Sequence, residues 1–189
     1  MGKPVYSERL TSAIGHVVWS QLVEADKKGQ YTLKLAFDKN APEVKEMQDA
    51  VNNLVEQAWP DKTPKGLKNP SRDGNQLTGD NDEPHPLTKD KVVVNFATKQ
   101  EPGSPKMPLF GMDGASDVDA EQFWTGNEAR VQFSIGTYDF KDNDGMTHVG
   151  TKCYLDGIQW CGKGLQGEGA PTKAPVEFGA VATGEPTEW

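Results

Sequence analysis

The chain has 189 residues, of which 35% are hydrophobic and 25% charged, with 20 Gly, 13 Pro and a net charge of −8. This length supports one domain with a sizeable core, and the composition excludes a disordered chain in favour of a loop-rich, mainly β protein. Taken as a total, the acidic charge argues against a nucleic-acid partner, whose phosphates must be neutralised by cations.

In chain order, 12–19 and 31–37 read as strands joined by the polar turn "EADKKGQ". In the second, Tyr31, Leu33, Leu35 and Phe37 alternate with Thr32, Lys34 and Ala36, the pattern of a half-buried strand. An amphipathic helix is expected over about 41–59. Asn40 and Glu43 form a capping-box-like start, Pro42 is tolerated in the first turn, and Val44, Met47, Val51, Leu54, Val55 and Ala58 mark one face. Pro60, Pro64 and Pro70 forbid continuation, and a long polar loop to Asp90 follows. "KVVVNFA" (91–97) is the third strand, and "DGASDVDAE" (113–121) an acidic excursion that opens a short helix. A hairpin comes next, with 129–140 and 147–155 joined by "KDNDG". Cys153 and Cys161 flank a turn-like "LDGIQW". Residues 164–189, rich in Gly, Ala, Pro and Glu, are expected to be a flexible tail behind a domain of residues 1–163.

No secretory segment follows Met1 and no apolar run is long enough to span a bilayer, so the expectation is a cytoplasmic chain with reduced thiols and no membrane partner. Several chemical-looking stretches fail on inspection. "GKGLQG" does not open a helix inside a βαβ unit. "FKDNDG" places Phe140 and Thr151 where a calcium loop needs ligands. The three His and two Cys lack zinc spacing. No catalytic constellation is found and no cofactor is expected. Asp117 with Asp119, or Asp142 with Asp144, leaves a metal-dependent nuclease as a weak alternative.

Charge distribution reopens the question that the total had closed. Residues 1–72 carry a net +2, whereas 73–90 and 164–189 hold −4 and −3. On the first hairpin strand Val131, Phe133 and Ile135 form a core stripe, while Arg130, Gln132, Ser134, Gly136, Tyr138 and Phe140 share the other face. On the second, His148, Gly150, Lys152 and Tyr154 match that second face. Gly136 and Gly150 leave room for a ligand to lie flat against the sheet. Rings for bases and cations for phosphates are what a single strand of nucleic acid requires, each stacked base contributing roughly 1–3 kcal/mol. The loop "DKTPKGLKNPSR", with Lys62, Lys65, Lys68 and Arg72, is read as a mobile cationic segment able to close over a bound strand. The competing reading covers both faces of the hairpin and buries Tyr138, Phe140 and Tyr154, or flips their parity with a bulge at Gly136.

"NPSRDG", "HPLTKDKVVVNFATKQEPG" and "FWTGNEARVQFSIGTYDFKDNDGMTHVGTKCYLDGIQWCGKG" together resemble the OB-fold single-stranded DNA-binding proteins of tailed bacteriophages. The likeness is carried by Arg72-Asp73-Gly74, Pro102-Gly103, Gly126, Gly150 and the run Leu155, Gly157, Ile158 and Gln159. It implies a five-stranded OB barrel, single-stranded DNA as partner, no catalysis, and service in phage replication and recombination within the host cytoplasm. An acidic tail ending in an aromatic residue, resembled thinly by "GEPTEW", implies phage or host replication proteins as further partners. Self-association stays open. The resemblance assigns no DNA contact to a residue. The candidate site, inferred from parity and charge, is Lys62, Lys65, Lys68, Arg72, Arg130, Tyr138, Phe140, Lys152 and Tyr154. A phage structural or virion β-domain is the alternative. One departure from the OB pattern is expected: only two strands precede the helix, where the usual barrel has three.

Overall fold

The computed structural model describes residues 4–78, 83–98 and 107–164. Its strands are β1 (Leu10–Thr11), β2 (Gly15–Gln21), β3 (Thr32–Asp38), β4 (Ser71–Asp73), β5 (Lys91–Ala97), β6 (Leu109–Phe110), β7 (Glu128–Lys141) and β8 (Thr147–Gly162). One α-helix, α1 (Pro42–Ala58), lies between β3 and β5 in sequence, and the acidic excursion closes in a 3-10 turn at Ala120–Gln122.

Five strands close on themselves. β7 pairs with β2, β2 with β3, β3 with β5, β5 with β8, and β8 returns to β7. All pairings are antiparallel except β5–β8. These five are the strands expected from the sequence, and the closed ring is an OB-like barrel. The helix does follow the second ring strand rather than the third. β1, the extra strand before it, pairs only with β7 and stays outside the ring.

Inward positions follow the two-residue period of a strand. Leu33, Leu35 and Phe37 of β3, Val94 and Phe96 of β5, Val131, Phe133 and Ile135 of β7, and Cys153 and Leu155 of β8 are buried in one cluster. Phe96 meets Phe37 and Phe133 edge-on, at centroid distances of 6.2 and 5.0 Å. The helix adds Val44, Met47, Val51 and Leu54 to this cluster and lies against β7. Each such side chain stabilises the fold by roughly 1.5–3 kcal/mol through burial.

Three local expectations need correction. The helix begins without an Asn40 cap: Ala41 holds the N-cap position, makes no side-chain hydrogen bond, and Pro42 starts the first turn. Asn40 instead donates its backbone N–H to the Asp38 carboxylate, 2.8 Å away. "LDGIQW" is not a turn, because β8 continues through it to Gly162. Asp156 and Cys161 are extra residues in β8 relative to β7, and these bulges keep the long pair in register around the barrel wall. The third correction concerns the loop after the helix, part of which is fastened. β4 pairs antiparallel with β5, and Lys68 bridges to Gly150 of β8.

The N-terminal stretch seals the free edge of β7. Val5 N–H donates to the Thr137 hydroxyl and the Val5 carbonyl accepts from Thr137 N–H, and the Ser7 and Ser12 hydroxyls accept from Ile135 and Val131 N–H at 2.9 and 3.0 Å. An open edge would be a template for further pairing. Pro102-Gly103 and all of the 164–189 tail beyond Gly164 lie outside the described residues. Among the described residues no helix is long and apolar enough to cross a membrane.

Candidate nucleic-acid interface

The ring is thin between β5 and β8, which share the two residue pairs Phe96–Cys153 and Ala97–Tyr154. Beyond them the gap is bridged by the basic segment after the helix. Lys68 donates its N–H to the Val149 carbonyl and accepts from Thr151 N–H, at 3.0 and 2.9 Å. Pro70 accepts from Asn95 N–H at 3.1 Å, and Ser71–Asp73 continue along β5. The expected mobile loop is therefore stitched at Lys68–Asp73 to two strands.

A cleft of about 930 Å³ opens over this seam. Its cations are Lys34 from β3, Lys68 and Arg72 from the stitched segment, and Lys152 from β8. Its rings are Tyr138 and Phe140 from β7, and His148 and Tyr154 from β8. Parity brings them together. Inward residues of β7 and β8 fill the core, and no bulge interrupts the alternation at Gly136. Phe140 is 50% exposed and both tyrosines are partly exposed. The reading that buried these rings is thereby excluded.

The rings form two groups. Phe140 stacks on His148 with centroids 5.1 Å apart at 22°, and Tyr138 tilts against Phe140 at 5.9 Å. Tyr154 tilts against Tyr6 at 5.8 Å, with the Lys152 ammonium 5.7 Å from its ring centroid. Burial raises the pKa of both tyrosine hydroxyls, joined at Tyr154 by the Tyr6 and Tyr138 hydroxyls. Both phenols therefore remain neutral donors at physiological pH. Burial, and then the nearby Lys28 ammonium, lower the pKa of Lys152, which Asp26 partly offsets.

The glycines of this face do not leave the open space expected of them. A Cβ on Gly136 would come within 2.6 Å of the Tyr6 ring and 2.7 Å of the Tyr154 ring. One on Gly150 would come within 2.6 Å of the Lys68 carbonyl oxygen and 2.7 Å of the Tyr138 hydroxyl. Their missing side chains admit the protein's own rings and backbone, and so seat Tyr138 and Tyr154 at the cleft.

Of the residues proposed from sequence, Lys68, Arg72, Tyr138, Phe140, Lys152 and Tyr154 share the cleft. Lys62 and Lys65 are exposed and precede the stitched segment, outside the cleft lining. Arg130 stands elsewhere on β7, where its guanidinium donates to Gln159 Oε1 at 2.6 Å. Lys34, Asn95, His148 and Tyr6 were missed. Lys34 and His148 were already on the correct faces by alternation. Asn95 and Tyr6 carry no signal of their own, because their places depend on long-range pairing.

Of the carboxylates of the nuclease alternative, Asp142 serves the hairpin turn. Asp142 accepts from the Asp144 and Met146 N–H groups and pairs with His148 Nε2 at 2.7 Å. His148 first, then the Met146 N–H, holds the Asp142 carboxyl below its usual range. Asp117 and Asp119 lie in a separate shallow depression beside Trp160. Among the described residues no three His, Cys, Asp or Glu side chains converge as metal ligands.

The same architecture occurs in solved structures. The single-stranded DNA-binding protein gp2.5 of bacteriophage T7 superposes with a TM-score of 0.60, at 17% identity, over 93% of this chain and 98% of that one. The single-stranded DNA-binding protein of bacteriophage Enc34 superposes with a TM-score of 0.59, at 12% identity, over 86% of each chain. Its complex with single-stranded DNA gives 0.56, at 10% identity, over 80% of this chain and 85% of that one. This chain shares the fold of phage single-stranded DNA-binding proteins. No family model matches the sequence, and no curated protein does.

Proposed function

We propose that this chain binds single-stranded DNA without regard to sequence, laying the strand in the cleft over the β5–β8 seam, and that it performs no catalysis. The observation carrying this reading is the convergence of Tyr138, Phe140 and Tyr154 with Lys34, Lys68, Arg72 and Lys152 on one cleft. Rings stack on any base and cations meet any phosphate, so such a surface needs no base-edge code. The fold shared with the T7 and Enc34 proteins supports the same reading. From the sequence resemblance to the phage family, rather than from these structures, we further propose service in phage replication and recombination in the host cytoplasm, with the acidic 164–189 stretch recruiting replication proteins. Lys62, Lys65 and Arg130 contribute to the surrounding field rather than to direct contacts.

Oligo-dT titration by fluorescence anisotropy, with and without magnesium, tests the proposal. Tyr138→Ala and Tyr154→Ala should each weaken binding by the worth of one stacked base, about 1–3 kcal/mol, with folding retained. Equal affinity of both variants and the parent protein would remove the site assignment. Cleavage dependent on magnesium would favour a nuclease, and no binding at all a structural β-domain.

A further inference from the structure

Trp19 breaks the alternation of its own strand. Gly15 and Val17 are buried, so an uninterrupted β2 would turn Trp19 into the core. Instead Val17 pairs with Leu35 and Trp19 with Lys34, leaving Val18 as an extra residue. This bulge sends the indole outward, where it is 43% exposed. After the bulge Ser20 takes the inward position opposite Leu33 and donates to the Phe123 carbonyl at 2.9 Å. An interrupted ladder and an exposed indole both weaken a barrel considered only as a barrel.

The outward position has a neighbour that explains it. The Lys34 ammonium sits 5.4 Å from the Trp19 ring centroid. Lys34 lies opposite Asn95 of β5, and both line the cleft. Trp19, Lys34 and Asn95 thus form one row across three adjacent strands, each step being about 4.8 Å. The row runs from the cleft across β3 to the outer side of β2. It continues the alternation of ring and cation found at Tyr154 and Lys152.

We infer that Trp19 is a remote stacking platform, aimed by the Val18 bulge, that receives a base of the same single strand after it has left the cleft and crossed Lys34. This rests on the single-strand reading given above and extends its footprint from the seam to the far edge of β2. A short oligonucleotide confined to the cleft would not touch Trp19, whereas a longer one would.

The experiment compares oligo-dT of about 4 and about 16 nucleotides, the two ends of the range for one OB fold. With Trp19→Ala, affinity for the long oligonucleotide should fall about 5- to 140-fold, as expected for one lost stack, while the short one binds unchanged. Trp19→Phe should recover most of the loss, and the thermal midpoints of both variants should stay near that of the parent, since the ring is exposed. Unchanged affinity for the long strand would overturn the inference, as would equal losses at both lengths, which would indicate a disturbed cleft. If the parent protein bound neither length, the single-strand reading itself would fail and this inference with it. That result differs from retained short-strand binding without any Trp19 effect.

Discussion

Lys152 carries its charge in a half-buried setting beside Tyr154, where burial and the Lys28 ammonium favour the neutral form over the opposing pull of Asp26. Its proton is therefore lost at a lower pH than that of an ordinary lysine, and a phosphate bound beside it would draw the proton back. Raising pH into the alkaline range should then weaken DNA binding before an ordinary lysine would discharge. Lys152→Arg should flatten this decline, because a guanidinium stays protonated throughout. Anisotropy titrations across that range check both outcomes, and a pH-independent parent affinity would remove Lys152 from the phosphate contacts. The two glycines of the face make a second residue-scale contrast. Gly150→Ala drives a methyl into the Lys68 backbone carbonyl, which cannot yield without unfastening the seam. Overpacking of this kind should cost about 1–3 kcal/mol in a urea titration. Gly136→Ala meets first the Tyr6 and Tyr154 rings, side chains rather than backbone. Its expected signature is a smaller stability loss with weakened oligo-dT binding.

The β7–β8 hairpin is the element in which sequence and structure agree most closely, because its alternation is long enough to survive two bulges. Val131, Phe133 and Ile135 point inward and Tyr138 and Phe140 outward, as the period of two requires. Beyond Leu155 the same rule misled, since Asp156 is an extra residue and an Asp-Gly pair inside a strand looks like a turn. At the true turn, Asp142 ties the tip together through His148 and two backbone N–H groups. A carboxyl with a lowered pKa contributes stability that is fully present above its unfolded value and lost as pH falls through the folded one. The parent protein should therefore lose more stability on acidification through the carboxylate range than Asp142→Ala does. Unfolding curves at stepped pH test this, and parallel losses in the two proteins would contradict it. β1, β4 and β6 were illegible because two or three residues cannot display a period. They exist only through partners far along the chain.

At the scale of the whole molecule a net charge of −8 coexists with four cations on one cleft. Charges beyond a Debye length, about 10 Å in 0.1 M salt, are largely screened, so the local set governs a bound phosphate. If Lys34, Lys68, Arg72 and Lys152 each neutralise one phosphate, log affinity should fall against log salt with a slope of about −2.8 for a single strand. A flat response would reject the cleft as a phosphate track. The ring of five strands was readable because each is an apolar-rich run of strand length bounded by polar or turn-forming stretches. The seam was not, since nothing local in "LKNPSR" announces that its backbone will bridge β5 and β8. The site was therefore half legible: its rings followed from parity, whereas its floor and the places of Lys34 and Asn95 followed from closure.

That closure has a consequence for biosynthesis. Val5 is bonded to Thr137, 132 positions further on, and the ring is completed only by β8, which ends at Gly162. At a synthesis rate of about 5–20 residues per second, a nascent chain would hold β2, β3 and β5 for roughly 3–13 s before β8 is complete and the ring can close. Such late, distant partners slow folding and leave sticky edges waiting. DNA-binding competence should accordingly arrive in a single step as the final hairpin clears the exit tunnel, rather than accumulate strand by strand.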